Sequence, residues 1–143
     1  QSNSSNVNSS HCLWNTSPHN GMAFTMNWLS SAKYALFLGT GTPSPTWNIF
    51  HNALSTSTIS VQQWRMITLV KSGKSYQMYI DGNLDVTWTA STEVASYLYK
   101  LYLGAGDPLV TNEVIFGKID DVSIHNRALT ADEILKVFNG TGF

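Results

Sequence analysis

The sequence is poor in charged residues and in cysteine. Lys, Arg, Asp and Glu make up 12% of the 143 residues, about half of the share of roughly 25% that is usual in a soluble domain. Lys and Arg together number 8, Asp and Glu together number 9, and the formal net charge is −1. Because nucleic-acid binding needs clustered basic residues to neutralise phosphates, and here they are scattered singly, the composition excludes a nucleic-acid partner.

Long hydrophobic runs are also missing. No apolar stretch approaches the ~18 residues of a membrane span. Residues 1–10 (QSNSSNVNSS) show neither the charged nor the apolar region of a signal peptide, although a mature chain whose signal had been removed would look the same. These ten residues are predicted to be a polar arm that does not fold alone. Residues 11–143 are predicted to form a single domain.

Cys12 is the only cysteine, so a disulfide within the chain is impossible. A free cysteine is commonly a small buried thiol, and the alternative here is a bond between subunits. Four Asn-x-Ser/Thr triplets permit N-glycosylation in a suitable host and prove nothing by themselves. They begin at Asn3, Asn8, Asn15 and Asn139.

What the sequence does contain is a series of short apolar runs separated by Gly, Pro, Asn and Ser. This spacing of short runs between turn-forming residues predicts an all-β fold of eight or nine strands. In the clearest run, Tyr76, Met78 and Ile80 alternate with more polar neighbours, and Asp81-Gly82 then supplies the positive-φ positions of a tight hairpin turn. The other predicted strands are residues 22–28, 34–38, 47–50, 64–70, 84–89, 97–103 and 118–124.

One helix is predicted, near the end of the sequence. Thr130 and Glu133 have the spacing of a capping box, and Leu129 and Ile134 that of a hydrophobic staple. Gly140 is expected to end the helix. Since so short a helix would be unstable alone, its apolar stripe is expected to lie on the β-structure. The stripe comprises Ile134, Leu135 and Phe138.

Five short motifs follow one another between Trp64 and Phe138. They are Gln63-Trp64, Tyr79-Ile80-Asp81-Gly82, Leu101-Tyr102-Leu103-Gly104, Gly117-Lys118-Ile119-Asp120-Asp121-Val122, and Asn126 to Ile134. Together they resemble the laminin-G-like, or concanavalin-A-like, jelly-roll family. The resemblance implies a β-sandwich of two antiparallel sheets with one short C-terminal helix. The N-terminal half fits less well, so the front of the sandwich is expected to be shortened. A missing strand could come from a longer precursor or from a neighbouring molecule.

Catalysis is not expected from this sequence. A jelly-roll glycosidase needs two carboxylates flanking a sugar ring, and the chain has no Glu-x-Asp-x-x-Glu pattern. Among its acids, Asp81 belongs to a turn and Glu133 to a helix cap. The four histidines lack the close spacing of a zinc site; they are His11, His19, His51 and His125.

Two kinds of ligand site are nevertheless predicted. Asp120 and Asp121 are candidate calcium ligands, because members of the resembled family often bind Ca²⁺ near the sandwich edge. The alternative is that Asp121 caps strand-edge amides or pairs with Arg127. Aromatic rings could stack on a sugar, although most rings in a sandwich belong to its core. The candidates are Trp47 and Trp88, both expected to be exposed, with Tyr97 and Tyr99.

Three functions are compatible with these observations. The low charge, the shortened sandwich and the polar arm favour a non-catalytic extracellular structural or adhesive module, which would associate with copies of itself in a filament-like assembly. A carbohydrate-binding module of a secreted protein is the alternative, and a glycoside hydrolase is disfavoured. The expected partners are copies of the chain, glycans or another surface protein. The fold alone does not decide among these functions.

Overall fold

The computed structural model describes residues 11–15, 21–27, 32–39, 47, 49–60, 62–94, 101–105, 114–115 and 117–142. These residues form eight strands and one helix, which makes the fold all-β as predicted. The elements are β1 (His11–Asn15), β2 (Met22–Met26), β3 (Lys33–Leu38), β4 (Phe50–Thr58), β5 (Ile67–Ser72), β6 (Ser75–Ile80), β7 (Asn83–Thr89), β8 (Tyr102–Leu103) and α1 (Ala131–Phe138).

The strands form two antiparallel sheets that pack face to face as a β-sandwich. One sheet has the strand order β4-β3-β2-β1-β8 and the other the order β5-β6-β7. Successive strand residues point to opposite faces, so every second residue of β2, β3 and β6 enters the space between the sheets. The buried members of this main core are Phe24, Met26, Tyr34, Leu36, Leu38, Tyr76, Met78 and Ala90.

Strand β3 is buried on both faces, as its near-continuous apolar run predicts. While Leu36 and Leu38 face the main core, Ala35 and Phe37 form a second cluster on the outer face with Ala23 of β2. The ring of Trp47 packs against Phe37 in this cluster, with 5.6 Å between the ring centroids.

The hairpin between β6 and β7 has the predicted turn. Asp81 and Gly82 have φ values of 51° and 80°, which are the two positive angles that a two-residue turn of the primed type needs. A carboxylate oxygen of Asp81 also accepts a hydrogen bond from the Met66 backbone N–H, at 2.9 Å. The turn is thereby tied to the residues that lead into β5.

Strand β4 is the element that the sequence pattern predicts least well. The prediction covered residues 47–50, whereas the strand spans Phe50–Thr58 and is mostly polar. Its polarity is possible because β4 is an edge strand of the five-stranded sheet. The buried Ser55 hydroxyl accepts a hydrogen bond from the Tyr34 backbone N–H at 3.1 Å, and so replaces a backbone acceptor where the register shifts.

Helix α1 begins and ends as predicted. The Thr130 hydroxyl accepts a bond from the Glu133 N–H, and the Glu133 carboxylate accepts one from the Thr130 N–H. Gly140 has a φ of 69°, and the bonds Gly140 N–H to Val137 O and Thr141 N–H to Lys136 O complete a Schellman motif. The helix lies on the outer face of the three-stranded sheet. There Ile134 is buried in a cluster with Val70, Tyr79, Met66 and Leu129.

Two strand predictions near the C-terminal end need correction. Residues 118–124 were predicted to be a strand, but no strand is assigned to them and all of them are exposed. Part of the reason is local, because Asp121 has a φ of 51° and interrupts an extended course. The strand predicted over 97–103 is seen as Tyr102–Leu103, while residues 97–100 lie outside the described part of the chain.

Candidate docking surface on the open side of the sandwich

The sandwich is closed along one side by a carboxylate that joins the two sheets. Asp85 of β7 accepts hydrogen bonds from the backbone N–H groups of Thr56 and Ser57 of β4, at 2.8 and 2.9 Å. Since β4 and β7 are the last strands of their sheets, this contact holds one pair of edges together.

The opposite edges are β8 and β5, and the segment 117–128 runs between them. Just before the segment, the Ile115 N–H donates to the Gly104 carbonyl at 2.8 Å. A Cβ placed on Gly104 would lie 3.4 Å from Ile119 Cδ1, so Ile119 lies beside the end of β8. After the segment, Leu129 packs with Met66 and Val70 at β5. We call segment 117–128, together with the edges of β8 and β5, the open side.

The apolar side chains of the open side are exposed. Every residue from 117 to 128 is exposed, and Ile119, Val122 and Ile124 are 41%, 52% and 76% exposed. At the β8 edge, Leu101 and Leu103 are 41% and 49% exposed. Single exposed apolar residues are ordinary, whereas several of them in one short segment are typical of an interaction surface.

The segment is anchored at its C-terminal end by an ion pair. The Arg127 guanidinium donates to both carboxylate oxygens of Glu133, at 2.8 and 2.6 Å. The bond from Arg127, followed by the backbone bond from Thr130, lowers the pKa of Glu133 to about 2. Arg127, considered above as a partner for Asp121, therefore pairs with a residue of the helix cap.

Trp64 stands at the β5 end of the open side and was missed as a site residue by sequence reasoning. It leads into β5 and is 55% exposed. The neighbouring Arg65 guanidinium bonds to Asp81, to the Ser60 hydroxyl at 2.9 Å and to the Gln63 side-chain oxygen at 3.2 Å. A signal was present in the sequence, since Gln63-Trp64 belongs to the motifs that carry the family resemblance.

The predicted calcium ligands lie within segment 117–128. Asp120 and Asp121 are both exposed, and the Asp121 N–H donates to a carboxylate oxygen of Asp120 at 2.9 Å. Calcium takes six to eight oxygen ligands. Within the described ranges, no three Asp, Glu, His or Cys side chains come close enough together to hold a metal ion. These two acids would need further ligands from elsewhere.

The two predicted sugar-stacking rings that the structure describes, Trp47 and Trp88, lie in different parts of the sandwich. The expectation that Trp47 and Trp88 are exposed is wrong, because both are half-buried. Trp47 packs on the outer face of the five-stranded sheet. Trp88 lies opposite Tyr76 and packs against the main core between the sheets. Tyr97 and Tyr99 lie outside the described residues.

The predicted modification sites are only partly described. Asn139 is the exposed C-cap residue of α1, and the hydroxyl of Thr141, the third residue of its triplet, donates to the Lys136 carbonyl at 3.1 Å. Cys12 and Asn15 belong to β1, where the partner of Cys12 in β2 is Thr25. Their side chains, and all of Asn3 and Asn8, lie outside the described part.

A family model of the laminin G type, described as the Concanavalin A-like lectin/glucanases superfamily, matches residues 2–135. This chain belongs to that superfamily. The predicted family is thereby confirmed, and so is the jelly-roll β-sandwich with its short helix. The superfamily's description includes both sugar-binding proteins and enzymes, so membership alone leaves the function of this laminin-G-like domain open.

One solved structure that the comparison matched to this chain comes from an S-layer domain-containing protein of Clostridium thermocellum ATCC 27405. The two chains are 22% identical, with a TM-score of 0.48, over 85% of this chain and 58% of the other. The laminin-G-like domain thus spans little more than half of that structure. The comparison with curated proteins found no match. No helix in the described ranges is long and apolar enough to cross a membrane.

Proposed function

We propose that this laminin-G-like domain is a non-catalytic extracellular module that associates with copies of itself through the open side. The observation that carries the proposal is the exposure of Ile119, Val122 and Ile124 in one short segment. The low charge of the chain, 12% of its residues, also favours contacts that exclude water over repulsion between copies.

The free energy gained by burying these apolar side chains can be compared with the cost of association. Full burial of a Val, Leu or Ile side chain is worth about 1.5–3 kcal/mol, and these side chains are already partly covered. The three residues of the segment therefore supply a few kcal/mol, whereas association costs about 4–15 kcal/mol in lost freedom of motion. Leu101 and Leu103 at the β8 edge must contribute as well, or both copies must bury the same group.

The native mass tests this proposal. Light scattering over a range of concentrations should give species heavier than the 15.8 kDa monomer. The double variant Val122→Ser with Ile124→Ser should remain monomeric, because it removes apolar side chains that the association would bury. It should still fold, since both side chains are already exposed and their loss does not disturb the core. Leu84→Ser is the matched control, since Leu84 is 53% exposed but lies on β7. A wild-type chain that stays monomeric at every concentration contradicts the proposal.

Carbohydrate binding is a second candidate function, and the exposed ring of Trp64 favours it. An exposed indole beside amide and guanidinium groups has the composition of a sugar-stacking surface. Screening the domain against a panel of glycans, with Trp64→Ala beside the wild type, tests this candidate. Binding that survives loss of the Trp64 ring would point to another site, with Trp47 and Trp88 next to be replaced.

Calcium binding by Asp120 and Asp121 and a disulfide between subunits through Cys12 remain proposals. Titration with Ca²⁺ in a calorimeter, compared with Asp120→Asn, tests the first. Electrophoresis without reductant, compared with Cys12→Ser, tests the second.

A further inference from the structure

Strand β5 is an edge strand of regular geometry. It is the last strand of the three-stranded sheet, and its six residues pair with β6 without any register shift. The Asp81 N–H donates to the Met66 carbonyl. Because backbone groups alternate in direction along an antiparallel strand, the N–H and C=O groups of Ile67, Leu69 and Lys71 point away from β6. Within the described ranges these outward groups have no backbone partner.

The other three strand edges in the described part of the chain are protected against further pairing. Strand β8 has only two residues. Strand β4 changes register twice against β3, and its Thr56 and Ser57 N–H groups bond to Asp85. Strand β7 has an extra residue, Asp85, opposite the step from Met78 to Tyr79. Short strands, bulges and covered edges all keep sheets from pairing with other chains, so β5 is the edge that can accept a strand.

We propose that β5 pairs with β5 of a second copy, antiparallel and about a two-fold axis at Leu69, so that two three-stranded sheets become one. This inference rests on the proposed self-association and names its backbone contact within the open side. Leu69 then lies opposite Leu69 of the second copy, and Ile67 lies opposite Lys71. Every outward N–H and C=O group of these three residues gains a partner.

The side chains of β5 fit this pairing on both faces of the sheet. Ile67 packs against the main core, and the methylene chain of Lys71 from the second copy can cover it. The Lys71 ammonium lies 3.8 Å from a Glu93 carboxylate oxygen, so its charge stays paired. On the other face Thr68 lies opposite Val70 of the second copy, and β-branched side chains are well suited to paired strands.

The neighbouring registers are less favourable. Outward residues must lie opposite outward residues in an antiparallel pair, so the axis moves by whole residues. An axis one residue earlier sets Lys71 opposite Arg65, and like charges directly opposite are destabilising. An axis one residue later sets Ile67 opposite Gly73, which belongs to the hairpin turn and has a φ of 55°. The outward groups of Ile67 then lose their partners.

A second copy is a better partner for β5 than the chain's own arm. Residues 1–10 are rich in Ser and Asn and contain one apolar residue, Val7, and Asn is depleted in strands. A two-fold contact instead uses the same strand of both copies, and β5 is itself rich in strand-forming residues. The resulting pair is closed, and a filament would need another contact in addition.

Hydrogen exchange at single amides, followed by NMR at low and high protein concentration, tests the contact. The N–H groups of Ile67, Leu69 and Lys71 should exchange more slowly in the associated chain, by a factor on the order of ten or more. Those of Thr68 and Val70, which face β6, should be protected at both concentrations. If light scattering shows oligomers while the three outward amides exchange at unchanged rates, the β5 contact is wrong and self-association stands. If the chain is monomeric throughout, both fail together.

A proline substitution tests the same contact without spectroscopy of single residues. Lys71→Pro removes an outward N–H, and proline is tolerated at such a position of an edge strand. This variant should fold, as circular dichroism can check, and should stay monomeric. Lys71→Ala is the matched control, because it also loses the ion pair with Glu93 but keeps the N–H, and it should still associate. Equal association of the two variants contradicts the inference.

A spin label at Lys71 reports the register. With Lys71→Cys labelled in a Cys12→Ser background, an axis at Leu69 places the two labelled positions four residues apart along the strands, ~13 Å. An axis one residue later or earlier gives ~7 or ~20 Å instead. Electron paramagnetic resonance measures this distance in the associated chain, and either of the latter values would overturn the assigned axis.

Discussion

At the scale of single residues, Gly82 is the position where the β6–β7 turn packs directly against helix α1. Its φ of 80° is one that side chains rarely adopt. A Cβ added there would lie 2.9 Å from Leu135 Cδ1, 3.3 Å from Phe138 Cβ and 3.4 Å from Leu135 Cα. The last two atoms cannot move without moving the helix. The glycine therefore satisfies both the turn geometry and the close approach of α1.

Replacing Gly82 by Ala should lower the free energy of unfolding by about 3 kcal/mol, combining backbone strain with overpacking. Gly73→Ala is the control, since Gly73 has a φ of 55° with no neighbouring atom within 4 Å, and should cost only about 1 kcal/mol in strain. Urea unfolding measures both. Equal losses for the two variants would mean that the helix contact adds nothing.

The Asp85 carboxylate that closes the sandwich can be tested at the same scale. Asp85→Ala should destabilise the domain by about 1–3 kcal/mol, because hydrogen bonds to a charged group are lost from two backbone N–H groups. Asp85→Asn retains one acceptor oxygen and should lose less. Thermal unfolding of the three proteins checks the order, and an Ala variant as stable as the wild type would show that β4 and β7 stay together without this contact.

Among elements, helix α1 depends on a capping box and an ion pair that share Glu133. Its pKa is lowered from the ordinary 4.5 to about 2, first by the bond from Arg127. A carboxylate whose pKa is lower in the folded chain stabilises the fold above its unfolded pKa, and this stabilisation is lost as the pH falls through the folded pKa. The helix and the end of segment 117–128 are therefore held together most firmly above pH 4.5.

This linkage gives a prediction for acid unfolding. Stability should fall more steeply between pH 4.5 and about 2 in the wild type than in Glu133→Gln, and the difference between the two proteins should shrink as the pH approaches 2. Denaturant unfolding at a series of pH values measures this. Parallel curves for the two proteins would show that Glu133 has an ordinary pKa in the fold.

At the scale of the whole molecule, the two sides of the sandwich differ among the residues that the structure describes, because Asp85 closes one side while segment 117–128 leaves its apolar side chains exposed along the other. Asp85 holds β4 and β7 together, while β8 and β5 are separated by segment 117–128. A partner that covers this segment would bind the folded chain and not the unfolded one. Such a partner raises the apparent stability by mass action.

If that partner is a second copy, the melting temperature of the wild type should rise with protein concentration. Val122→Asn should remove this dependence without lowering the melting temperature at the dilute end, because Val122 is already 52% exposed. Calorimetric scans over a hundredfold range of concentration measure both. A concentration-independent melting temperature in the wild type would count against self-association.

The sequence predicted those parts of the fold that local chemistry determines. The Asp81-Gly82 turn needs positive φ angles, the Thr130–Glu133 box satisfies its own backbone groups, and the alternation of Tyr76, Met78 and Ile80 follows from the period of a strand. The polar strand β4 was largely missed because its position at a sheet edge, and the buried Ser55 that bonds to β3, depend on a neighbour 21 residues away in sequence.

The candidate site was predicted only in part. Asp120 and Asp121 were selected for their chemistry, and they do lie in the exposed segment. Trp47 and Trp88 were selected for polar surroundings in sequence, yet each packs on a sheet. Trp64 was assigned to a strand, although its ring is exposed ahead of β5. Side-chain burial is set by what packs above a residue, which neighbours in sequence do not reveal.

The sequence by itself determined the class of fold, the family, the hairpin and the capped helix, because each depends on residues close together in the chain. Only the tertiary structure decided that no strand forms at residues 118–124, that Asp85 joins β4 to β7, and that the apolar side chains of segment 117–128 are exposed. An apolar strand pattern requires that its residues be covered, but whether the cover comes from the same chain depends on which strand edges meet in three dimensions.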